Sequence, residues 1–546
     1  MRRLLLPALL LGLPLAPSTA QTAPVAEGVP VIEGTRFIWS GTGAGDFLGW
    51  CVALAVVPDA PDTVALPPPG PLALGGAPGF PGNTAYLFRE TAGTWAQVQR
   101  LDPDIGGVYG VACAITPDGT LAVVGAPMRE DPPASPAYSG AAHVFRYDAD
   151  SGVWTQEAAL RVAALSASRL FGQGVAVARD GTGAAATEER ILALGGGRAW
   201  VLRRANAPDS LWTEEGRLEP VPASGDTFFG NEPLFGAPHQ RASILYGSDG
   251  AWRAMAGGPY TIGSTARGSA YIWRLDGGVW VQEARLVGTD GECLGNTVAL
   301  AETGGVWLAA VGVTQGCSGN GVGLGRVEVW RLDGGVWVRE ASLPQPDPSG
   351  EHFGGNVALW AGTDGHAVLL GSQQSWSGVG TSGTYVFERT ASGAGGAGVW
   401  AYAAKLAIGP PWGDQAVALV GGHALVGQKA DDVIGMNAGV LIAYDLSGVL
   451  TAAEPPGQAT GAAAVSVWPN PAAGVAVVRL VLPAAGTVRV SLHDVLGREA
   501  AVVHDGVLPA GPSRLAFDVS GLAAGVYVIR VLGAGLAASR TVTVAR

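Results

Sequence analysis

Short apolar stretches alternate with glycine- and aspartate-containing turns along most of the chain. Stretches such as "AYLF", "AHVF" and "AYIW" are bounded by turns every ~8 to 12 residues, which predicts antiparallel strands. The order of the stretches also repeats. Each unit has an apolar stretch, a turn, a second stretch ending in "GAP" or "GG", a loop, a third stretch, another turn and a fourth stretch that opens on tryptophan. This order predicts a four-stranded antiparallel meander.

The unit occurs seven times, and each copy begins with an aromatic residue or leucine followed by glycine, a pair named here the anchor. Anchors are 58 to 65 residues apart, and a unit of that length is too small to bury its own apolar face. Seven stacked four-stranded units predict the blades of a β-propeller. The fourth copy is lengthened by "NEPLFGAPHQR" (231–241), which we interpret as an insertion. The anchors are Leu48-Gly49, Tyr109-Gly110, Phe171-Gly172, Phe229-Gly230, Leu294-Gly295, Phe353-Gly354 and Trp412-Gly413.

The seventh copy lacks a fourth stretch, because "GVLIAYDLSG" is followed directly by "TAAEPPG". A propeller left open there would expose an unpaired sheet edge. At the other terminus, "GVPVIEGTRFI" (28–38) is similar to the fourth-stretch text "GVWVQEARLV" (278–287). The sequence therefore predicts an all-β protein whose residues 28–448 form a seven-bladed propeller closed by the N-terminal strand.

The N-terminus has the features of a secretory signal peptide. Two arginines precede an apolar run from Leu4 to Leu15 and a small-residue cleavage site at Ala20. The run is shorter than the ~20 residues that span a bilayer, so we expect residues 1–20 to be removed and no transmembrane segment to remain. Removal of Arg2 and Arg3 changes the formal net charge from −12 to −14. That charge disfavours nucleic acid and anionic membranes as partners, and we expect an exported monomer.

No catalytic, phosphate-binding or metal-binding motif is recognisable. The chain has no G-x-S-x-G, H-E-x-x-H, C-x-x-C or P-loop sequence, and its seven histidines are scattered. We therefore expect no cofactor and no metal ion, although loops from distant copies can meet near a propeller axis.

Four cysteines in an exported chain favour disulfides. Cys293 precedes the first stretch of the fifth copy and Cys317 follows its second, so both lie at the same end of adjacent strands and we expect a bridge. Cys51 and Cys113 occupy inner strands of neighbouring copies. Either a second bridge or a pair of packed free thiols is consistent with their positions.

The Phe-Gly anchors, the "VVGAP" (123–127) and "LGGAP" (74–78) stretches and the repeat length resemble the FG-GAP repeats of integrin α-subunits and related bacterial surface proteins. The resemblance covers residues 28–448 and implies a seven-bladed propeller. Many FG-GAP repeats carry a calcium loop between the first two strands. The corresponding hairpins here, such as "TPDG" and "GTDG", have one or two aspartates each, which favours ordinary Asx-Gly turns over calcium sites.

After an Ala/Pro/Gly linker (449–464), short alternating stretches return in residues 465–546 and suggest a small immunoglobulin-like β-sandwich. Three motifs in this segment resemble the type A C-terminal sorting domain of the type IX secretion system. The alternative is an ordinary immunoglobulin-like module. The resemblance implies that the type IX machinery is a partner and that the protein reaches the cell surface or the medium after passing through the periplasm. Its motif residues are Pro469, Asn470, Pro471, Asp494, Gly497, Arg498, Gly525, Tyr527 and Arg540.

These features favour a non-enzymatic, secreted or surface-bound binding or adhesion protein with an extracellular protein or glycan ligand. The alternative is a secreted polysaccharide hydrolase or lyase with carboxylates near the propeller axis; fold alone does not decide between them. The loops after the second stretch of each copy are the longest and most varied, which favours their face for ligand binding. Candidate residues there are Met128, Arg129, Tyr260, Trp376, Lys429, Asp431 and Asp432.

Overall fold

The computed structural model describes most of the chain, with gaps that fall largely in loops. The predicted signal peptide (1–20) lies outside the described residues, as does the linker from 451 onward. The described residues are 21–22, 31–38, 45–59, 66–79, 83–102, 108–128, 139–162, 170–181, 186–205, 207, 210–221, 241–259, 268–289, 292–315, 324–346, 352–373, 383–391, 397–407, 415–431, 437–450, 465–468, 475–482, 485–494, 498–508, 511–533 and 536–544.

These residues contain strands and no helix, which confirms the all-β prediction. The strands are β1 (Gln21–Thr22), β2 (Val31–Ile32), β3 (Thr35–Phe37), β4 (Val52–Val57), β5 (Gly70–Ala77), β6 (Thr84–Thr91), β7 (Thr94–Leu101), β8 (Ala112–Ile115), β9 (Leu121–Ala126), β10 (Ala141–Asp148), β11 (Val153–Leu160), β12 (Gly174–Arg179), β13 (Glu188–Gly195), β14 (Arg198–Ala205), β15 (Thr213–Leu218), β16 (Ala242–Tyr246), β17 (Trp252–Gly258), β18 (Ser269–Asp276), β19 (Val279–Val287), β20 (Glu292–Thr303), β21 (Val306–Gln315), β22 (Arg326–Asp333), β23 (Val336–Pro344), β24 (Asn356–Ala361), β25 (Ala367–Ser372), β26 (Thr384–Ala391), β27 (Gly398–Leu406), β28 (Gln415–Val420), β29 (His423–Gln428), β30 (Val440–Asp445), β31 (Val465–Trp468), β32 (Val475–Leu482), β33 (Gly486–Asp494), β34 (Glu499–Leu508), β35 (Gly511–Asp518), β36 (Gly525–Gly533) and β37 (Leu536–Val544).

Strands β4 to β27 form six four-stranded antiparallel meanders in chain order, sheets 1 to 6, and β28, β29, β30 and β3 form sheet 7. The first strands of sheets 1 to 7 contact one another in succession, and β28 of sheet 7 also contacts β4 of sheet 1. This arrangement of four-stranded sheets is consistent with a β-propeller. The boundary between two neighbouring sheets is named here a seam, so that seam 4/5 lies between sheets 4 and 5.

The described anchors pack between neighbouring sheets, and the predicted anchors Phe229-Gly230 and Trp412-Gly413 lie outside the described residues. The side chains of Leu48 and Phe171 are fully buried, and the glycines that follow them have positive φ angles of 88° and 87°. A Cβ on Gly172 would lie 2.2 Å from the backbone oxygen of Ala141, and one on Gly49 would lie 2.8 Å from Gly427 Cα. Only glycine fits both the backbone conformation and the space, which explains why the pair recurs at the start of the copies.

A belt of tryptophan, glutamate and arginine fills the outer part of seams 2/3 to 5/6. In each, the tryptophan that opens the fourth strand of one sheet donates its indole N–H to a glutamate on the fourth strand of the preceding sheet. The four pairs are Trp212 to Glu157, Trp280 to Glu215, Trp337 to Glu283 and Trp400 to Glu340, with N···O distances of 2.6 to 2.9 Å. Each glutamate also pairs with an arginine: Arg146, Arg190, Arg253 and Arg389, respectively. These charges range from the nearly buried Glu340–Arg389 pair to the partly exposed Glu157–Arg146 pair, and each of them is paired across the strands.

The N-terminal segment follows the outer edge of three sheets. Strand β1 adds to β23 and β2 adds to β27, both in parallel, whereas β3 pairs antiparallel with β30 and supplies the fourth strand of sheet 7. Phe37 of β3 stacks on Trp95 of sheet 1, with ring centroids 4.7 Å apart. The sequence predicted one N-terminal strand at 28–38; the structure instead has two short strands, which pair with different sheets.

One disulfide joins neighbouring inner strands, between Cys51 and Cys113, with a Cα–Cα distance of 5.8 Å. The sequence left packed free thiols open as the alternative for this pair. Cys293 is also disulfide-bonded. Its predicted partner, Cys317, lies outside the described residues, so that pairing stays a prediction.

The C-terminal segment forms two sheets, one with the order β31-β32-β35 and the other with the order β34-β33-β36-β37. Buried residues of β32, including Val478, and of β33, β36 and β37, including Val490, Ile529 and Val542, belong to one apolar core. The two sheets therefore pack face to face as a small β-sandwich.

Candidate functional site

The first strands of sheets 1 to 7 together line one cavity of about 180 Å³, named here the axial cavity. Its described lining consists of valine, alanine, leucine and isoleucine with Ser243 and the disulfide-bonded Cys113. None of these lining residues carries a carboxylate or an imidazole. General acid–base catalysis needs such groups within hydrogen-bonding reach of a substrate, so this lining offers no such chemistry.

A second, smaller cavity of about 30 Å³ adjoins the disulfide, and its lining includes Trp50, Cys51 and Asn356. The Nζ atom of Lys429 lies 4.1 Å from the centroid of the Trp50 ring, a cation–π contact. One candidate from the sequence thus lies beside an aromatic side chain at this cavity.

Three of the seven loop candidates fall in the described residues. Met128 is half-buried just after β9 of sheet 2, and Lys429 is half-buried just after β29 of sheet 7. Asp431 is 3% exposed and forms an ion pair with Arg36 of the N-terminal segment. The structure thus brings Lys429 and Asp431 into one turn of sheet 7, whereas Met128 belongs to another sheet. The remaining candidates, Arg129, Tyr260, Trp376 and Asp432, lie outside the described residues.

A layer of buried amide and hydroxyl side chains lies at the same end of sheets 6 and 7, and the sequence analysis missed it. Asn356 Nδ2 and Ser372 Oγ donate to the backbone oxygen of Gln415 at 2.9 and 3.0 Å, and Thr384 Oγ1 donates to Gln415 Oε1 at 2.9 Å. The available signal was a polar residue two positions past an anchor glycine, as in "FGGN" and "WGDQ".

Several deeply buried carboxylates, Glu340 among them, are engaged in ion pairs between strands. Glu340 is 1% exposed at its side chain and accepts two hydrogen bonds from Arg389, at 2.8 and 2.9 Å. Burial raises the pKa of the Glu340 carboxyl, but hydrogen bonds from Arg389, Trp400 and the Gly398 N–H outweigh burial and hold that pKa below its ordinary range. A carboxylate held ionised in this way stabilises the seam and is not available as a general acid.

The C-terminal sandwich places several sorting-motif residues together. The Asp494 carboxylate accepts hydrogen bonds from the Arg498 N–H and Nε, at 3.0 and 2.7 Å, and closes the turn between β33 and β34. Asp494 is also the cross-strand partner of Tyr527, whose hydroxyl donates to the Ala523 backbone oxygen. Gly525 begins β36, and Arg540 is exposed on β37. Pro469, Asn470, Pro471 and Gly497 lie outside the described residues.

Neither a metal centre nor a membrane-spanning helix is found in the described part of the chain. No group of three or more histidine, cysteine, aspartate or glutamate side chains there could hold a metal ion. No helix of sufficient length and apolarity to cross a bilayer occurs there either.

Comparison with solved structures gives low similarity. A protein from Bacteroides uniformis described as a 6-phosphogluconolactonase is 13% identical, with 79% of this chain and 94% of that chain covered and a TM-score of 0.39. AofleA from Arthrobotrys oligospora is 11% identical, with 72% and 97% covered and a TM-score of 0.36. The GH93 α-L-arabinofuranosidase of Fusarium graminearum is 8% identical, with 62% and 93% covered and a TM-score of 0.33. Similarity at this level does not assign an activity.

A search of curated protein sequences found no match to the chain. The C-terminal segment, in contrast, matches a family. Residues 466–545 match the model described as "Secretion system C-terminal sorting domain", which contains the motif residues described above. The protein is therefore exported by the type IX secretion system to the cell surface or the extracellular space.

Proposed function

We propose that this protein is a non-enzymatic binding or adhesion protein whose ligand is an extracellular protein or glycan. The observation that carries the proposal is the lining of the axial cavity. Hydrolysis of a glycosidic bond ordinarily needs two positioned carboxylates. The described lining of the axial cavity has none, so this site supports binding or a purely structural role over catalysis.

We also infer that sheets 1 to 7 form a closed seven-bladed propeller similar to FG-GAP repeat proteins, made by residues 28–448. The contact between β28 and β4 and the pairing of β3 with β30 support closure. In this arrangement the N-terminal strand and the C-terminal end of the repeats meet in one blade.

The proposed ligand surface is the face formed by the loops after the second strand of each sheet. Lys429 contributes positive charge to this face beside Trp50. Asp431 lies in the same turn and forms an ion pair with Arg36 of the N-terminal segment. Met128, together with Arg129, Tyr260, Trp376 and Asp432, completes the proposed surface.

The test is to screen the intact exported protein against glycan and matrix-protein arrays, beside an assay for release of reducing or unsaturated sugar ends from polysaccharides. The proposal predicts selective retention on one ligand class without release of sugar ends. Release of sugar ends by the purified protein would contradict the proposal and favour a hydrolase or lyase.

A matched pair of variants tests the loop face, because the chain has only two lysines and both lie against an aromatic ring. Lys429→Ala removes the cation beside Trp50, whereas Lys405→Ala removes the one 5.5 Å from the Tyr385 ring. The proposal predicts weaker ligand retention for Lys429→Ala only. An equal loss of ligand retention in both variants, or no loss in either, would mean that the turn after β29 is not part of the ligand surface.

A further inference from the structure

Seam 7/1 contains an open cleft of about 210 Å³, and it lies at the hairpin end of the sheets, opposite the loops of the proposed ligand surface. Sheet 1 lines it with Pro71, Glu90 and Trp95, and sheet 7 lines it with His423 and Asp445. The seams that carry the tryptophan, glutamate and arginine belt show how the chain fills this position elsewhere.

Seam 4/5 is the clearest example of a filled position. The Arg253 guanidinium lies 4.3 Å from the Trp307 ring centroid and forms ion pairs with Asp249 and Glu283 at 2.7 and 2.9 Å. Seam 3/4 has the same arrangement, in which Arg190 lies 4.4 Å from the Trp252 ring centroid. An aromatic ring and carboxylates in these seams thus hold a guanidinium group that belongs to the chain itself.

Strand register identifies the corresponding residues in seam 7/1. A Cβ on Gly257 would lie 2.0 Å from the Gly295 oxygen of the next sheet, and a Cβ on Gly427 would lie 2.4 Å from the Gly49 oxygen. Arg253 lies four positions before Gly257, and His423 lies four positions before Gly427. Residues an even number of positions apart in a strand point to the same face, so both side chains face the next sheet. Where seam 4/5 has an arginine, seam 7/1 therefore has a shorter histidine.

The stacking partner and the cross-strand residue differ as well. Trp307 lies five positions before Gly312, and Pro71 lies five positions before Gly76. Each of these glycines packs against the anchor of the next sheet. Seam 7/1 thus has Pro71 where seam 4/5 has the large indole of Trp307, and the smaller side chain leaves space in seam 7/1. On the third strand, His423 pairs with Asp445. The corresponding residue is an arginine in each of sheets 1 to 5 and Glu388 in sheet 6. The arginines are Arg89, Arg146, Arg203, Arg274 and Arg331.

No arginine or lysine in the described part of the chain forms an ion pair with the carboxylates of the cleft. Among the described residues, Glu90 accepts a hydrogen bond from the Gly93 N–H and Asp445 accepts one from the Ser447 N–H at 2.9 Å, and neither carboxylate has an ion pair. Trp95 also lines the cleft and is only half-buried. In the adjacent seam 1/2, Arg89 lies 5.9 Å from the ring centroid of Trp154, the residue that corresponds to Trp95.

We propose that the cleft in seam 7/1 binds the guanidinium group of an arginine side chain presented by an extracellular polypeptide partner. The incoming guanidinium takes the place that the chain's own arginines occupy in seams 3/4 and 4/5. A guanidinium suits the cleft because its planar fork pairs with carboxylates and its face stacks on aromatic rings. The cleft lies opposite the loop face, so this inference goes beyond the proposed function and does not depend on it.

The test is a titration of the intact protein with the peptide acetyl-Gly-Arg-Gly-amide, followed by calorimetry and by tryptophan fluorescence. The control peptide has citrulline, which keeps the shape of arginine but carries no charge. We expect saturable binding of the arginine peptide in the ~millimolar range and weaker binding at high salt, because exposed ion pairs are screened. The citrulline peptide is expected not to bind.

Variants locate the site. Asp445→Asn and Glu90→Gln are each expected to weaken binding about tenfold, because each removes one charge-assisted hydrogen bond. His423→Arg is expected to abolish binding by placing a guanidinium of the chain in the cleft. The matched control is Asp276→Asn, at an exposed aspartate that ends the third strand of sheet 4, and it should bind like the unaltered protein.

Three results would overturn the proposal: no saturable binding up to ~10 mM peptide, equal binding of the citrulline peptide, or unchanged affinity in Asp445→Asn. If His423→Arg does not fold, Asp445→Asn still decides, because that carboxylate is exposed and has no ion-pair partner to lose. Loss of array binding in the test of the proposed function leaves these results unaffected, so the two proposals fail separately.

Discussion

Seams 4/5 and 7/1 differ in what fills the space between two sheets. In seam 4/5 the fourth strand β19 is nine residues long and supplies Glu283. Glu283 forms an ion pair with Arg253 and accepts a hydrogen bond from the Trp337 indole N–H. In seam 7/1 the fourth strand is the three-residue β3, whose Phe37 stacks on Trp95. Both seams have an apolar core. Seam 4/5 adds paired charges to that core, whereas seam 7/1 has an open cleft beside the stacked rings of Phe37 and Trp95.

The difference follows from how sheet 7 is built. Sheets 1 to 6 take all four strands from one continuous segment, and the fourth strands of sheets 2 to 5 carry the glutamates of the belt. Sheet 7 borrows its fourth strand from the other end of the chain. We infer that the junction between the two ends of the chain leaves room for a ligand group, whereas sheets 3 and 4 fill the equivalent space with their own arginine side chains.

Removal of the borrowed strand should have the largest effect. Deletion of residues 21–40 exposes the edge of β30 and removes the buried Phe37 side chain. Loss of a buried aromatic residue alone costs about 3–5 kcal/mol, so we expect a loss of at least that size in the free energy of unfolding. Thermal and denaturant unfolding measure it.

Deletion of residues 21–30 is the control for that experiment, because it removes the two-residue β1 and keeps β3. It should unfold close to the unaltered protein. A 21–40 deletion that unfolds like this control would mean that β3 does not close sheet 7.

The same substitution should have unequal effects in the two kinds of seam. Glu340→Gln leaves the buried Arg389 guanidinium without its carboxylate, and loss of one partner of a buried pair costs about 3–5 kcal/mol. Glu90→Gln alters a carboxylate of the open cleft that has no ion pair, so less than about 0.5 kcal/mol is expected. Urea unfolding of both variants makes the comparison, and equal losses would contradict it.

The Cys51–Cys113 disulfide joins sheets 1 and 2 across 62 residues of chain. Replacement of both cysteines by serine is expected to lower the free energy of unfolding by about 2–4 kcal/mol. Peptide mapping of non-reduced protein should recover this bridge and a second one between Cys293 and Cys317. Free thiols at Cys293 and Cys317 would contradict the predicted second disulfide.

Acid should weaken sheet 5 through a partly exposed pair. A hydrogen bond from Arg326 lowers the pKa of Glu292 from its ordinary 4.5 to about 2. Because the folded-state pKa lies below the unfolded value, the stabilisation is present above pH 4.5 and is lost as the pH falls towards 2. Solvent screening limits it to about 1 kcal/mol.

Glu292→Gln should flatten the stability–pH curve between pH 2 and pH 4.5, whereas Glu214→Gln, at an exposed carboxylate of β15, should not. An unchanged curve in Glu292→Gln would contradict the assignment of this slope to the Arg326 pair.

The repeated strands were predictable from sequence because each copy carries its own apolar stretches and turns. The stretch "AYIW" is found within β18, and the predicted C-terminal strands form a two-sheet sandwich. The N-terminal segment was harder, because the apolar pattern of a lone segment does not fix which distant edge it joins. The break at Glu33 and Gly34 divides it between sheets 6 and 7.

The cleft could not be found from the sequence alone. Its residues become comparable with those of other seams only when the register between strands is known, as for His423 and Asp445. Asp445 ends a third strand of ordinary apolar pattern, and its negative charge stands out only when it is compared with the arginines at the corresponding positions of sheets 1 to 5. The export signal, by contrast, was predictable because its motifs lie close together in the sequence.

A double-mutant cycle on Phe37 and Trp95 tests most directly whether the N-terminal strand joins sheet 7 to sheet 1. Urea unfolding is measured for the unaltered protein, Phe37→Ala, Trp95→Ala and the double variant. Stacked aromatic pairs contribute about 0.5–1.5 kcal/mol beyond their buried area, so the account predicts a coupling energy of that size. Additive losses, with a coupling energy of zero within error, would mean that the two rings do not meet and would contradict closure by the N-terminal strand.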